Sequence, residues 1–171
     1  MKCEMRTYLS PAKKYYLIRS PDSHDTDIIL KCLKICADDS KTVFDFTLLP
    51  EDENALGKIL DFVSDSMKDI FVIAATGGKI AAIGCACVYT ENDEFLCKML
   101  LFVRKSYRNQ GVGKQLLNEL IKFSGKFNIV RTETFLNSNQ KEAIRFFEQN
   151  GFETVDKSNK RKMVTLVSLP E

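Results

Sequence analysis

The sequence predicts an α/β fold in which helices cover a mixed central sheet. Apolar stretches of strand length alternate with segments whose apolar residues recur at the helical period. The glycine pair Gly77-Gly78 joins two β-rich stretches, which predicts an antiparallel hairpin. Further along, a strand, a helix and another strand have the spacing of a right-handed parallel crossover. We therefore expect both parallel and antiparallel pairing in the sheet.

The first elements are a strand at Tyr15–Arg19 and two helices. The first helix is predicted over residues 27–37, where apolar side chains fall on one helical face. The second helix follows Pro50, and acidic residues crowd its first turn, where the helix dipole favours them. The polar link between them, residues 38–50, is ambiguous.

The middle of the chain predicts three strands, a helix and a further strand. Strands are expected over residues 71–75 and 80–89, on either side of the glycine pair, and over 95–103 after a turn at 90–94. An amphipathic helix then runs to about Ser124. The strand over residues 129–136 completes the parallel crossover.

A helix and a closing hairpin end the chain. Asn139 is expected to cap the helix with Glu142 as its capping-box partner, and Gly151 is expected at the C′ position. The hairpin strands are predicted over residues 152–156 and 162–168. The predicted order is ββααβββαβαββ, in which the early elements are not fixed, with about four helices around a central sheet of six to seven strands.

Composition indicates a single domain over residues 1–171. The 171 residues are 44% hydrophobic and 28% charged, and no apolar run approaches the about 20 residues of a membrane span. The N-terminus lacks the apolar stretch of a signal peptide, so a cytoplasmic location and no membrane partner are expected. The net charge of +2 gives no support for nucleic-acid binding.

The six cysteines and one histidine do not predict a metal site. No two cysteines form a C-x-x-C pair, and most lie in apolar periodic segments, so reduced packing residues are expected. A zinc site built from Cys85, Cys87, Cys32 and Cys36 is the weaker alternative. His24 lies in a polar stretch and is expected to cap or decorate a loop. No metal is therefore expected.

The most informative segment is the loop between the third of the central strands and its helix, Arg108-Asn109-Gln110-Gly111-Val112-Gly113. A helix start offers unpaired N–H groups and the positive end of a dipole to an anion. Gly111 and Gly113 remove side chains that would hold a phosphate away. Four basic residues add positive charge: Arg104, Lys105, Arg108 and Lys114. The Rossmann and P-loop patterns are both incomplete here, so a different phosphate-bearing ligand is predicted.

This loop resembles motif A of the GNAT superfamily of N-acetyltransferases, Gln/Arg-x-x-Gly-x-Gly/Ala, which Arg108, Gly111 and Gly113 match. Asn109 stands where members often have glycine. A second block, AIRFFEQNGFE at residues 143–153, is similar to the family signature Ala-x-x-x-Tyr-Glu-x-x-Gly-Phe, which closes the acetyl-CoA cleft. By this resemblance the sequence is identified as a member of the superfamily.

The resemblance implies a GNAT fold that binds acetyl-CoA as a cosubstrate. The motif strand and the strand after its helix would splay apart, with the pantetheine arm along Leu101, Phe102 and Val103. The pyrophosphate would rest on the N–H groups of Gln110, Gly111, Val112, Gly113 and Lys114. Further cofactor contacts are implied for Arg108, Asn109, Asn139 and Phe147.

The resemblance also implies direct attack of a neutral amine on the thioester. A base must take a proton from the acceptor ammonium, and the departing thiolate must gain one. Glu94 and Glu133 are the two candidate bases. The family position that usually supplies an acid, a tyrosine, is Phe147, so no hydroxyl stands there.

Two alternatives to the enzyme stay open. One is a catalytically weak GNAT-fold protein that binds acyl-CoA as a sensor or scaffold, and the other is an unrelated nucleotide-binding module, which leaves the second block unexplained. The resemblance implies that the partner is a small-molecule or peptide amine framed by residues 22–50 and 90–94. Acceptor identity, acyl chain length and assembly, including a homodimer, are not predicted.

Overall fold

The computed structural model describes residues 2–40, 52–158 and 163–168. Within those ranges the elements follow the predicted order ββααβββαβαββ. The strands are β1 (Arg6–Leu9), β2 (Tyr15–Arg19), β3 (Asp69–Thr76), β4 (Lys79–Glu91), β5 (Glu94–Val103), β6 (Ile129–Asn137), β7 (Glu153–Ser158) and β8 (Met163–Ser168). The helices are α1 (Thr26–Ser40), α2 (Glu53–Asp65), α3 (Val112–Ser124) and α4 (Lys141–Glu148). Most of the ambiguous link over 38–50 lies outside the described residues.

The eight described strands form one mixed sheet in the order β1-β2-β3-β4-β5-β6-β8-β7. β5 and β6 run parallel, and the other neighbouring pairs are antiparallel. The predicted α/β class and mixed sheet are confirmed, but the sheet exceeds the expected six to seven strands. β1 pairs with β2 along its whole length, although three of its four residues are exposed and no apolar alternation marks it.

The closing hairpin is also present, but its second strand is the one that joins the sheet. β8 pairs with β6 on one side and with β7 on the other, both antiparallel. The turn between the two strands lies outside the described residues. Sequence periodicity identifies strands and not their neighbours, so this order was not predictable from the pattern.

Two tight turns set the register of the central hairpins. Gly77 and Gly78 have φ of 53° and 70°, as the predicted hairpin requires. Asn92 and Asp93 have φ of 50° and 63°, so β4 and β5 are also joined by two residues in the left-handed region. That turn is tighter than the predicted 90–94, because both strands extend further than the apolar pattern indicated.

Each face of the sheet carries an apolar core. α1 and α2 pack on one face through Ile29, Leu33, Leu56 and Leu60, which meet Ile73 and Ile83. α3 packs on the other through Leu116, Leu117 and Leu120, which meet Cys97 and Met99. Burying a leucine side chain of this kind stabilises a fold by about 1.5–3 kcal/mol. Side chains along β5 alternate between the two faces of the sheet, so this strand contacts the helical layer on each face.

The capping prediction for α4 is wrong at its start and confirmed at its end. Gln140, not Asn139, is the N-cap, and no side chain caps the helix there. The Gln140 Oε1 atom instead accepts a hydrogen bond from the Asn137 N–H at 2.8 Å, which takes its side chain away from the helix. At the other end, Gly151 adopts φ of 86°.

The cysteines whose side chains the structure describes are not in disulfides: Cys3, Cys32, Cys85, Cys87 and Cys97. Cys32 and Cys97 are buried as predicted, whereas Cys87 is exposed. Burial raises the pKa of the Cys97 thiol to about 12, which leaves it a poor nucleophile. Nowhere in the described ranges do three His, Cys, Asp or Glu side chains gather as a metal site, and the Cys36 side chain lies outside the description.

No helix in the part of the chain that the structure describes is both long and apolar enough to cross a bilayer.

Candidate active site

The parallel strands β5 and β6 separate partway along their length. Their paired positions run from Phe95↔Ile129 to Lys98↔Glu133. Beyond the last pair a cavity of about 710 Å³ opens, with Leu101 on one strand and Leu136 on the other among its lining residues. Both lie three residues beyond the last pair. The predicted splayed pair at a cleft is therefore a feature of this structure.

The cavity brings together eleven of the twelve residues predicted to contact a cofactor. They are Leu101, Phe102, Val103, Arg108, Asn109, Gly111, Val112, Gly113, Lys114, Asn139 and Phe147. Gln140, Lys141, Glu142 and Phe146, at the N-cap of α4 and within it, also line the cavity, although none of them was predicted to contact a cofactor. Strand ends and helix starts that are far apart in sequence thus surround one space.

The start of α3 forms part of the cavity lining. Gly111 is its N-cap, and the first bond within the helix joins the Gln115 N–H to the Gly111 carbonyl at 3.2 Å. The N–H groups of Val112, Gly113 and Lys114 precede that bond, so they are available to an anion. They also carry the positive end of the helix dipole, which makes this the natural place for a phosphate.

The two glycines of the motif are required for different reasons. Gly111 has φ of 78°, and a Cβ there would overlap the Tyr8 hydroxyl. Gly113 is helical and buried, and a Cβ there would lie 3.2 Å from Val103 Cγ2 and 3.7 Å from Phe146 Cζ. The first glycine therefore permits a left-handed turn beneath β1. The second lets α3 approach β5 and α4 closely.

The residues before the first glycine hold the loop in place. Asn109 has φ of 59°, a conformation that asparagine tolerates better than most residues and that glycine adopts freely. The Arg108 Nε donates to the Val103 carbonyl at 3.1 Å. Arg104 turns away from the loop, because its Nη1 donates to the Ile80 carbonyl at 3.2 Å. Of the four basic residues predicted around the loop, only some are therefore directed at the cavity.

Gln110, whose N–H group was predicted to contact the pyrophosphate, is not among the residues that line the cavity, and its side chain binds elsewhere. Its Oε1 accepts a hydrogen bond from the Tyr16 hydroxyl at 2.6 Å, and its Nε2 donates to the Ser106 carbonyl at 3.0 Å. Its own carbonyl accepts from the Tyr8 hydroxyl at 3.2 Å. Its side chain therefore anchors the loop to β1 and β2. Neither tyrosine was predicted, because the partners are about 100 residues apart in sequence.

Glu133 lies at the closed end of the gap between the strands. Its side chain is 10% exposed, and Oε1 pairs with the Arg131 Nη2 at 2.8 Å. The Tyr89 hydroxyl donates to Oε2 at 3.2 Å. Burial first, and then the charge of Glu133, raise the pKa of Tyr89 to about 12, so the hydroxyl keeps its proton. Both carboxylate oxygens are thus held in a fixed direction.

Glu94 does not reach the cleft as the sequence analysis expected. It is exposed, pairs with Glu91 at the hairpin turn and begins β5, at the end of the strand away from the cavity. Seven residues separate it from Leu101, which is roughly 23 Å along an extended strand. The strands β5 and β6 are paired at the start of β5 and separate only near its end, so a residue at the start of β5 lies far from the cleft.

The helix α4 covers the cavity with aromatic rings. Phe147 is 2% exposed, and its ring centroid lies 5.4 Å from that of Phe146 and 5.1 Å from that of Phe152, both edge-on. This arrangement agrees with its interpretation as a core aromatic. Asn139 lines the cavity through its position before α4, and its N–H donates to the Asn137 Oδ1 at 3.1 Å.

Comparison with known proteins bears on this arrangement. The model of the acetyltransferase (GNAT) domain family matches residues 67–154, which is more than half of the chain. A search of curated protein sequences gives no significant match.

Solved structures resemble the whole fold at low identity. A GNAT-family acetyltransferase from Streptococcus pneumoniae has a TM-score of 0.76 at 19% identity, over 91% of this chain and 99% of that one. The GNAT domain of Streptomyces lividans PAT has a TM-score of 0.77 at 15% identity, over 97% of each chain. A putative acetyltransferase from Salmonella typhimurium, solved with its cofactor acetyl-CoA, has a TM-score of 0.74 at 13% identity, over 91% and 94%. These structures share the fold of this chain, and the family match shows that the chain belongs to the acetyltransferase (GNAT) domain family.

Proposed function

We propose that the protein transfers an acetyl group from acetyl-CoA to a primary amine by direct attack. The observation that carries the proposal is the cavity of about 710 Å³ that joins the diverging ends of β5 and β6 to the start of α3. A long ligand with an anionic end fits such a space, because apolar walls lead to a helix start that favours phosphate. Acetyl-CoA supplies the activated acetyl group as a thioester.

The residues present suit the parts of acetyl-CoA. The pyrophosphate would accept from the N–H groups of Val112, Gly113 and Lys114, and charge-assisted bonds of this kind contribute about 1.5–3 kcal/mol each. The backbone of Leu101 to Val103 would bind the pantetheine arm along the open edge of β5. Gln110 supports the site by holding the loop, and Asn109 by keeping its turn.

Glu133 is the carboxylate best placed to act as the base. It is the last β6 residue paired with β5, so it lies where the narrow end of the gap begins. Its contacts with Arg131 and Tyr89 orient it. It would take a proton from the acceptor ammonium, directly or through a water molecule. Backbone N–H groups of the separated strands would stabilise the negative charge that develops on the carbonyl oxygen.

A second candidate function follows from Phe147. Its buried ring lies where many relatives have a tyrosine, so α4 supplies no hydroxyl at that point. A protein with this site that binds acyl-CoA without efficient transfer would serve as a sensor or scaffold. Solvent or the acceptor ammonium must protonate the thiolate if the protein is an enzyme.

One experiment separates the two functions. Calorimetric titration with acetyl-CoA is followed by thiol release in a panel of primary amines. Binding with thiol release supports the transferase, and binding without release supports the sensor. Arg108→Ala and Gly113→Asp are expected to weaken binding, because they change the loop charge and fill the space between Val103 and Phe146. Absence of binding by the unmodified protein would contradict both functions.

The first testable prediction concerns the base. Glu133→Gln should lower the rate of thiol release by about 100-fold or more while acetyl-CoA affinity stays the same, because only proton removal is lost. Glu94→Gln is the matched control and should leave both quantities unchanged, since Glu94 lies at the far end of β5. Equal effects of the two substitutions on turnover would disprove the assignment of Glu133.

A further inference from the structure

A row of polar side chains crosses one face of the sheet at the level where β5 and β6 part. Asp69, Cys87, Lys98 and Glu133 are successive register partners on β3, β4, β5 and β6. Side chains of directly paired residues lie on the same face of a sheet. Cys85, two residues before Cys87, packs in the core beneath α1 and α2. The row therefore lies on the face opposite α3.

Within this row, the Lys98 ammonium makes cation–π contacts with two aromatic rings. Its Nζ atom lies 4.6 Å from the centroid of the Tyr89 ring and 5.8 Å from that of the Phe135 ring. Aromatic faces attract ammonium groups at such distances. The Tyr89 hydroxyl donates to Glu133 Oε2, so one ring joins the ammonium to the buried carboxylate. A primary amine on a flexible aliphatic stem thus lies over the ring whose hydroxyl binds the candidate base.

We propose that Lys98 is itself an acceptor, so that the protein acetylates its own Lys98 side chain. The inference rests on the proposed function. Lys98 and Glu133 form the last paired position before the gap, and Leu101 lines the cavity three residues further, roughly 10 Å along the strand. The flexible four-carbon stem of lysine would carry the amine part of the way toward the open end of the gap. An amine held in place reacts without the cost of capturing a second molecule.

The transfer balances as an ordinary amide-forming step. Glu133 takes a proton from the Lys98 ammonium, and the neutral Nζ attacks the carbonyl carbon of the thioester. The new C–N bond forms as the C–S bond breaks, and the leaving sulfur takes up a proton to become the thiol of coenzyme A. The amide nitrogen loses its second proton to solvent. The products are acetylated Lys98, coenzyme A and one released proton.

Lys68 offers a matched control within the same chain. It is also exposed, and its Nζ lies 5.3 Å from the centroid of the Phe95 ring. Phe95 pairs with Ile129 at the first paired position of β5 and β6, on the side away from the gap. If exposure and contact with an aromatic ring were enough for acetylation, Lys68 and Lys98 would therefore be acetylated at similar rates.

The test incubates the full chain with acetyl-CoA and follows acetylation of each lysine by peptide mass spectrometry. Lys98 should be acetylated at least about tenfold faster than Lys68, at a rate that saturates with acetyl-CoA and does not change on dilution of the protein. Glu133→Gln and Arg108→Ala should each reduce the Lys98 rate toward that of Lys68. Lys68→Arg should leave the Lys98 rate unchanged.

Calorimetry on the same samples distinguishes the two proposals. A protein that binds acetyl-CoA but acetylates Lys98 no faster than Lys68 overturns this inference and leaves the proposed function to the amine panel. A Lys98 rate that falls on dilution shows transfer between copies and also overturns it. A protein that does not bind acetyl-CoA overturns the proposed function and this inference together.

Discussion

Tyr16 links the N-terminal hairpin to the loop that precedes α3. Its side chain is fully buried, and its hydroxyl donates to Gln110 Oε1 at 2.6 Å. Its ring centroid lies 6.2 Å from that of Tyr8 and 6.3 Å from that of Tyr107. Burial raises the pKa of the Tyr16 hydroxyl, which keeps its proton available for the bond. One side chain of β2 therefore helps to set the loop conformation.

Removal of the Tyr16 hydroxyl should lower the affinity for acetyl-CoA. Tyr16→Phe is expected to weaken the affinity by about five- to tenfold, because the loss of one hydrogen bond costs about 1 kcal/mol and frees the Gln110 side chain. Tyr15→Phe is the matched control, since the neighbouring Tyr15 is 65% exposed. Calorimetry checks both variants. Equal affinities for Tyr16→Phe and the unmodified protein would show that the loop needs no such support.

At the scale of elements, an ion pair connects β2 to the turn that leads into α1. The Arg19 Nη1 and Nη2 atoms donate to the two Asp25 carboxylate oxygens at 2.6 and 2.8 Å, and Asp25 is 4% exposed. Asp22 and Asp25 also form a capping box around the turn. Burial alone raises the pKa of Asp25, but the bonds from Arg19 and the Asp22 N–H outweigh it, and the pKa lies below its usual value.

This pair predicts a loss of stability in acid. A carboxyl whose pKa is lowered in the folded state contributes stability above its unfolded pKa of about 4. That contribution is lost as the pH falls through the lower pKa of the folded state. Asp25→Asn should therefore lower the free energy of unfolding by about 2–3 kcal/mol at neutral pH, with a smaller difference near about pH 3. Urea unfolding at both pH values measures this.

Asp27→Asn is the control for the ion pair, because Asp27 makes an exposed i,i+4 pair with Lys31. Such surface pairs contribute less than about 1 kcal/mol. A loss from Asp25→Asn that is no larger than the loss from Asp27→Asn would mean that the buried pair does not secure the turn.

The end of α4 depends on a glycine in the left-handed region. The N–H groups of Gly151 and Phe152 donate to the carbonyls of Glu148 and Phe147 at 3.3 and 3.1 Å, the pattern of a Schellman motif. The Phe147 and Phe152 rings make the accompanying apolar contact. This motif orients the aromatic residues that cover the cavity.

The same substitution should have opposite effects at two glycines. Gly151→Ala is expected to destabilise the protein by about 1–2 kcal/mol, because φ of 86° strains an alanine although the space is open. Gly57→Ala should stabilise it by about 0.5–1 kcal/mol, because Gly57 lies within α2 and, apart from the helix's own backbone and the chain neighbours, no described atom lies within 4 Å of the added Cβ. Thermal unfolding compares the two, and effects of the same sign would contradict the role of Gly151.

At the scale of the whole molecule, the cavity walls come from β5, α3, β6 and α4, so a bound ligand would connect elements that span residues 101–147. Acetyl-CoA at about 100 times its dissociation constant should stabilise the folded protein by about 2.7 kcal/mol. For a chain of this size that corresponds to roughly 5–10 °C in Tm.

The rise in Tm on addition of acetyl-CoA should be much smaller for Arg108→Ala at the same acetyl-CoA concentration. It should be unchanged in Lys58→Ala, which removes an exposed charge on α2, on the other face of the sheet. Differential scanning fluorimetry measures all three proteins. A full shift in Arg108→Ala would exclude Arg108 from the ligand site.

The sequence by itself predicted the order of the elements and the glycine loop that begins α3. Apolar periods and glycine turns are local signals, and the loop and the block around Phe147 are contiguous motifs, so eleven of twelve predicted contacts line one cavity. The tertiary structure alone decided that Gln110 faces Tyr16, that Glu94 lies far from the gap and that Lys98 sits beside Glu133. The physical reason is that strand pairing and register join residues distant in sequence, and no local pattern records which strands become neighbours or where a parallel pair separates.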